Sequence, residues 1–310
     1  MKILVTIPHY FNAHGDGKYV STSSNSASRS EACRAAITAL RRLFGSPQYR
    51  LDIDAWNAVP VNQSNTHELE LVLCTTRGHH LIQQLGLPEA AYGHRAFEVE
   101  PMMLEFECQQ VLREAIGKYD YYCFLEDDLI IHDPSFFRKL TWFHRRFGDE
   151  CLLQPNRFEL GGLDALVTKL YIDGNLPPRS TARFQSIAQT PELTLPYLDA
   201  TIRLVRPVNP HSACYFLTQS QMIHWAEQPH FLDRDISWCG PLESAATLGI
   251  MKTFRLYKPA PENMDFLELE HRSSYNLNLI GKDVPFASER GRMLSSVTKF
   301  VSSLNPFQPS

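Results

Sequence analysis

What the 310-residue chain lacks narrows its reading first. It has no run of about eighteen apolar residues, so no membrane-spanning helix is predicted. The opening Met1-Lys2-Ile3-Leu4-Val5-Thr6-Ile7-Pro8 is too short an apolar run for a signal peptide and is stopped by a proline. Basic charge is not in excess: the formal net charge is −4, which removes any global electrostatic case for nucleic acid as a partner. None of Cys33, Cys74, Cys108, Cys123, Cys151, Cys214 and Cys239 lies two or three positions from another, so zinc-knuckle and redox spacings are excluded. The cysteine count is odd and most sit in apolar runs, as buried free thiols of a reducing compartment do. No internal repeat is present. The expectation is a cytoplasmic globular protein.

What is present is an alternation of strand and helix. Residues 3–7 are rich in β-branched side chains and predict a buried parallel strand. A Gly, Ser and Asn-rich loop follows over 13–28, with 15–28 placed to close over a ligand. Ser28 and Glu31 have capping-box spacing ahead of a helix over 31–44, which carries Ala32, Ala36, Leu40 and Leu43 on one face and stops at Gly45. Strand, loop and helix in that order open a doubly wound sheet. Further helices are predicted over 79–87, 101–116, 135–147, 220–227 and 242–248, the last stopped by Gly249, and further strands over 69–74, 151–158, 201–206, 213–217, 252–257 and 266–271. Residues 48–67 read as irregular, and 161–198 as an exposed loop or lid. Apolar residues at helical spacing over 293–304 predict packing on the body, with peripheral contact at a membrane surface as the alternative.

The chain is organised around Tyr121-Tyr122-Cys123-Phe124-Leu125-Glu126-Asp127-Asp128. A strand of buried type ends in three consecutive carboxylates, which repel one another and are costly to bury unpaired. A hard divalent cation removes that penalty. The carboxyl end of a core strand is also where open α/β sheets place their ligands. Strand alternation puts Glu126 and Asp128 on one side and Asp127 on the other.

Residues 115–128 resemble the helix, turn and acidic strand end of the GT-A glycosyltransferases, whose "DXD-like" motif holds manganese or magnesium on the diphosphate of a nucleotide sugar. Other segments follow in that family's order. Residues 3–12 are similar to its first strand and nucleotide loop. Gly240-Pro241-Leu242-Glu243 is similar to its late acidic helix start, which supplies the base in inverting members. Leu269-Glu270-His271 is similar to its C-terminal metal-binding histidine. The first acid here is Glu126 where aspartate is usual, and Glu243 is followed by Ser244 where the family has two acids, so Asp235 competes for the base.

The resemblance implies a GT-A-type, Rossmann-like α/β fold with a mostly parallel central sheet flanked by helices. It implies one catalytic domain over 1–280, split into a nucleotide half (1–130) and an acceptor half (131–280), with a tail over 281–310. It implies a divalent cation (Mn2+ or Mg2+) on Asp128, Glu126 and His271, and a nucleoside-diphosphate sugar held by Pro8, His9, Tyr10, Phe11, Arg77, Glu126 and Asp127. The acceptor would be a carbohydrate, a lipid-linked molecule or a protein. The cation stabilises the leaving diphosphate as a Lewis acid, and Glu243 takes the acceptor proton. Two other functions compete. A sugar nucleotidyltransferase would need a glycine-rich phosphate loop where Pro8-His9-Tyr10-Phe11 stands. A non-catalytic nucleotide-sugar or carbohydrate-binding protein would keep the fold without turnover.

Overall fold

The computed structural model describes residues 1–14, 22 and 25–287. The expected tail helix over 293–304 and most of the loop over 15–28 lie outside them. The first half of the chain contains β1 (Lys2–Pro8), α1 (Ser26–Leu40), β2 (Gln48–Asp52), β3 (Asn57–Val61), β4 (Glu68–Thr76), β5 (Gly93–Phe97), α2 (Leu104–Glu114), β6 (Tyr121–Leu125), β7 (Leu129–Ile130) and α3 (Phe136–Phe147). The second half contains β8 (Cys151–Leu153), β9 (Asn156–Leu160), β10 (Lys169–Tyr171), β11 (Glu192–Tyr197), β12 (Ala200–Val205), β13 (Cys214–Thr218), α4 (Gln219–Ala226), α5 (Pro241–Glu243), α6 (Gly249–Thr253), β14 (Arg255–Pro259) and β15 (Glu268–His271).

The central sheet has the order β13-β6-β1-β4-β5. β1, β4, β5 and β6 are parallel, and β13 closes one edge antiparallel to β6. The expected mixed α/β architecture with a mostly parallel, helix-flanked sheet is therefore present. β1 explains why the strand sequences read as continuous apolar runs rather than alternations. Ile3, Val5 and Ile7 pack with Cys33, Ile37 and Leu40 of α1 and Phe136 and Phe137 of α3 on one face. Leu4 on the opposite face joins Cys108, Val111 and Leu112 of α2 and Met222 and Trp225 of α4. A strand covered on both faces has no polar side.

Two smaller sheets come from the second half, β10-β9-β15-β7 and β11-β12-β14-β8. The first of them builds the site. β7 follows directly on the acids, and β15 pairs with it antiparallel, setting His271 opposite Leu129. The Arg272 amide then donates to the Asp128 carbonyl across 2.8 Å.

Several local expectations are corrected. α1 starts five residues earlier than expected, because Asn25, not Ser28, is the cap: its side chain accepts from the Ser28 amide. Residues 48–67, read as irregular, contain the hairpin β2–β3, whose strands pair only with each other among the described residues. The single strand over 151–158 is two strands, β8 and β9, and the region read as a lid holds β10 and β11. Gly249 does not stop a helix. Helical turns continue from Pro241 to Thr253, and a β-carbon at position 249 would stand 2.6 Å from the Trp225 ring. The glycine is there to let a helix approach an indole.

Candidate functional site

β6 ends at Leu125, but the Glu126 amide still reaches the Ala213 carbonyl at 3.1 Å. The chain then turns, the Leu129 amide donating to the Glu126 carbonyl across 3.2 Å, and resumes as β7. The acids therefore occupy a tight turn rather than an extended strand end, and strand alternation does not decide where they point. Burial and pairing do. All three line one cavity of about 500 Å³ at the carboxyl end of the parallel strands, together with Pro8, Tyr10, Arg29, Glu105, Leu242 and His271. That is the size and position of a small-molecule site on an open α/β sheet.

Asp127 is the supported member. It is buried, and its Oδ2 takes a hydrogen bond of 2.5 Å from His9 Nδ1. The Leu81 amide donates to His9 Nε2 at 3.1 Å, which fixes the proton on Nδ1. Arg29 pairs with Asp127 Oδ1 through one guanidinium nitrogen and with Asp128 Oδ2 through the other, the latter at 2.9 Å. Burial would lower the Arg29 pKa, and the two aspartates more than reverse it, so the guanidinium stays charged.

Asp128 is the open member. Its Oδ2 faces Arg29 and lies 3.7 Å from His271 Nε2. Its Oδ1 is buried and has no hydrogen-bond partner among the described residues. Burial would raise its pKa, but the charges of His271, Arg29 and Arg157 hold it below the usual aspartate value, so the partnerless oxygen is ionised. Glu126 is pushed the other way, to about 7, by burial and then by Asp128. Glu105, also with a buried and partnerless Oε2, is raised well above the usual range by burial and then by Glu126 and Glu243. Burial lowers the His271 pKa, but Asp128 and Glu159 outweigh it, so the imidazole pKa is raised.

His271 is held from behind. Glu159 lies 3.2 Å from its Nδ1 and also accepts from Asn276 Nδ2 at 2.9 Å and the Leu277 amide at 2.8 Å. One buried carboxylate thus orients the imidazole and anchors the loop carrying Tyr275 and Asn276, which line the cavity. Below it, Asp173 ties together Arg157 and Lys258, whose Nζ lies 2.9 Å away.

Of the residues singled out in the sequence, Pro8, Tyr10, Glu126, Asp127, Asp128 and His271 come together around the cavity. Others do not. His9 is fully buried behind Asp127, and Phe11 is in the core. Arg77 pairs with Glu100 at 2.8 Å on the surface. Asp235 bonds Lys252 at 2.8 Å, and that contact with the Ser237 hydrogen bond draws its pKa down to about 2, so it is spent as an ion-pair partner. Glu243 is half-buried at the start of α5, next to Leu242 on the cavity wall. Arg29, Glu105 and Glu159 were missed. Placing the cap at Asn25 would have put Arg29 in the first turn of α1; nothing local marks Glu105 or Glu159.

The donor set fits a hard divalent cation. A buried, ionised aspartate oxygen with no partner among the described residues, a second carboxylate whose proton is held first by burial and then by its neighbour's charge, and an oriented imidazole are the parts of an open oxygen-rich site. A second grouping is closer in space: His9, Cys33 and Asp127 have ligand atoms within 4.8 Å of one another. Its members are already committed, however. His9 bonds Asp127, and burial pushes the Cys33 thiol well above its usual pKa, so it stays protonated.

No family model matches the chain, and no curated protein matches it at a meaningful level of similarity.

Proposed function

We propose that the chain is a metal-dependent glycosyltransferase of GT-A type, which transfers a sugar from a nucleoside-diphosphate sugar to an acceptor hydroxyl. The observation that carries this reading is Asp128 Oδ1, an ionised oxygen with no hydrogen-bond partner among the described residues, buried in a cavity of small-molecule size at the carboxyl end of a parallel sheet. Asp128, Glu126 and His271 would hold Mn2+ or Mg2+; when bound, the cation supplies Lewis-acid stabilisation for the leaving diphosphate. Tyr10 offers an aromatic face on the cavity wall for a nucleobase or sugar ring.

In the transfer, Glu243 takes the proton of the acceptor hydroxyl. The hydroxyl oxygen forms a bond to the anomeric carbon as the bond from that carbon to the diphosphate breaks, and the electron pair leaves with the diphosphate. Glu105, whose proton is retained by burial and by the charges of Glu126 and Glu243, donates a hydrogen bond to the sugar rather than accepting a proton. His9 and Arg29 fix Asp127 and so set the geometry of the turn. On this reading the enzyme would work in the cytoplasm, and residues 131–280 would form its acceptor half. A binding protein on the same fold is the second reading, favoured by the single acid at the start of α5.

The test is calorimetric titration of UDP and GDP with and without Mn2+, on the wild type and on Asp128→Asn. Binding of one nucleotide that requires metal and Asp128, together with hydrolysis or transfer of the matching sugar donor, supports the enzyme. Metal-dependent binding with no turnover across a broad acceptor panel supports the binding protein. Absence of nucleotide binding in both conditions overturns both.

A further inference from the structure

A larger cavity, about 760 Å³, lies away from the acidic turn. It opens beside Met1, at the amino end of the central sheet, whereas the acids stand at the carboxyl end beyond Leu125. The length of β1 alone separates the two ends by about 20 Å. One wall is a face of α3: Arg138, Thr141, Trp142 and Arg145 recur at spacings of three and four and form one stripe. The facing wall is the turn Gln63–Asn65 with Thr66 and His67. Arg138 Nη2 bridges the walls by donating to Ser64 Oγ across 3.0 Å. Arg146 stands with its guanidinium 5.1 Å from the centre of the Trp142 ring.

The charge here is one-sided. Among the described residues no carboxylate lines the cavity. Among the described residues Arg138, Arg145 and Arg146 have no ion-pair partner, and all three line this one cavity. The carbonyl end of α3 accounts for arginines at positions 145 and 146. It does not account for Arg138 in the first turn, nor for the exclusion of acids from a cavity in a chain with 34 acidic and 30 basic residues.

We propose that this cavity is a second binding site, taking a phosphate ester. Guanidinium groups pair with phosphate oxygens through two parallel hydrogen bonds, Ser64, Thr66 and Gln63 offer neutral donors, and Trp142 gives a flat wall for the organic part. The ester can be free or carried on a lipid headgroup. The second source has a structural pointer: the hairpin β2–β3, which leads into the Gln63–Asn65 turn, exposes Tyr49 (58%) and Leu51 (60%) on one face and Ile53 (75%) and Trp56 (77%) at its tip.

The test uses the full chain in the presence of EDTA, which removes the acid-lined cavity as a metal-dependent phosphate site. Inorganic pyrophosphate is titrated, and sedimentation is followed with phosphatidylcholine vesicles with and without phosphatidic acid. Replacing Arg138 and Arg145 by Gln together is expected to weaken pyrophosphate binding by about tenfold or more, with Asp128→Asn leaving it unchanged. Sedimentation that needs phosphatidic acid and both arginines assigns the lipid source; pyrophosphate binding without sedimentation assigns the free ester. Should the double variant not fold, Arg145→Gln alone, an exposed side chain, gives the same comparison. Failure of both probes to bind, or binding that survives the arginine changes or is lost in Asp128→Asn, overturns the proposal without touching the nucleotide-sugar reading.

Discussion

His9 and Asp127 meet across 2.5 Å with neither side chain reaching solvent. Because the Leu81 amide occupies the far ring nitrogen, the imidazole is fixed as a donor to the carboxylate. The pair holds the middle of the acidic turn rigid from the core side, and Arg29 holds it from the cavity side.

Arg29 is therefore the natural stand-in for positive charge at this turn. Arg29→Ala removes the cation that Asp127 and Asp128 share, leaving them only His9, His271 and Arg157, and is expected to lower stability by about 3–5 kcal/mol. A divalent cation should restore part of that loss, so Mn2+ should raise the melting temperature of the variant more than that of the wild type. Equal metal shifts in the two proteins would show that no cation reaches Asp128.

Glu126 gives the site a pH signature. Its folded pKa of about 7 lies above the ordinary 4.5, so the folded state binds its proton more tightly than the unfolded state does. Its contribution is fully present below about pH 4.5 and is lost as pH rises through about 7. His271, also raised, works in the same direction at higher pH. Metal-free stability should fall across this interval, and Glu126→Gln should flatten much of the fall in urea-unfolding series. Mn2+ affinity should rise over the same interval, since the ligand must lose its proton. An affinity independent of pH from 5 to 8 would exclude Glu126 as a ligand.

The contrast between Arg29 and Asp128 also shows what the sequence made legible. Four of the five central strands were readable because strands buried on both faces are continuous apolar runs, whereas the partly exposed edge strand β5 was missed; the acids stood out because carboxylates have no ordinary reason to follow Tyr121-Tyr122-Cys123-Phe124-Leu125 directly. His271 was found by resemblance, not by pattern. Arg29 was hidden by a cap assigned to Ser28 instead of Asn25. Glu105 and Glu159 are polar residues whose burial is set by partners distant in sequence, such as Leu277 for Glu159, and no local periodicity records that. The hairpin β2–β3 was invisible because both its faces are largely exposed, so its side chains do not alternate between core and solvent.

Glu159 acts through His271 rather than on a ligand. Glu159→Gln should preserve the fold's hydrogen bonds to the Leu277 amide while weakening its hold on the imidazole. Mn2+ affinity is expected to drop by roughly 10–100-fold, and the His271 pKa, followed by NMR, should fall. A change in affinity with an unmoved His271 pKa would place the effect in the loop instead.

Gly249 tests the packing beneath the site. A β-carbon there would stand 2.6 Å from Trp225 Cζ2, in an indole that is 1% exposed and has little room to move. Gly249→Ala is expected to destabilise by about 1–3 kcal/mol despite alanine's higher helix propensity. A rise in melting temperature would mean that the indole yields.

The two remaining acids separate proton transfer from binding. Glu243 and Glu105 are close enough for the charge of the first to raise the pKa of the second. Of the two only Glu105 lines the cavity, and it is buried with a proton it gives up reluctantly, whereas Glu243 is half-buried and follows Leu242 of the cavity wall, where the proposed acceptor would arrive. Glu243→Gln should reduce kcat by about 10²–10⁴-fold with donor affinity preserved. Glu105→Gln keeps a hydrogen-bond donor in place of a protonated carboxyl and should leave kcat within a few-fold, while Glu105→Leu should weaken donor binding. The reverse outcome, with Glu105→Gln abolishing turnover and Glu243→Gln sparing it, would move the base into the cavity. It would also require a bound cation to lower the Glu105 pKa, which the pH dependence of kcat measured with and without excess Mn2+ would reveal.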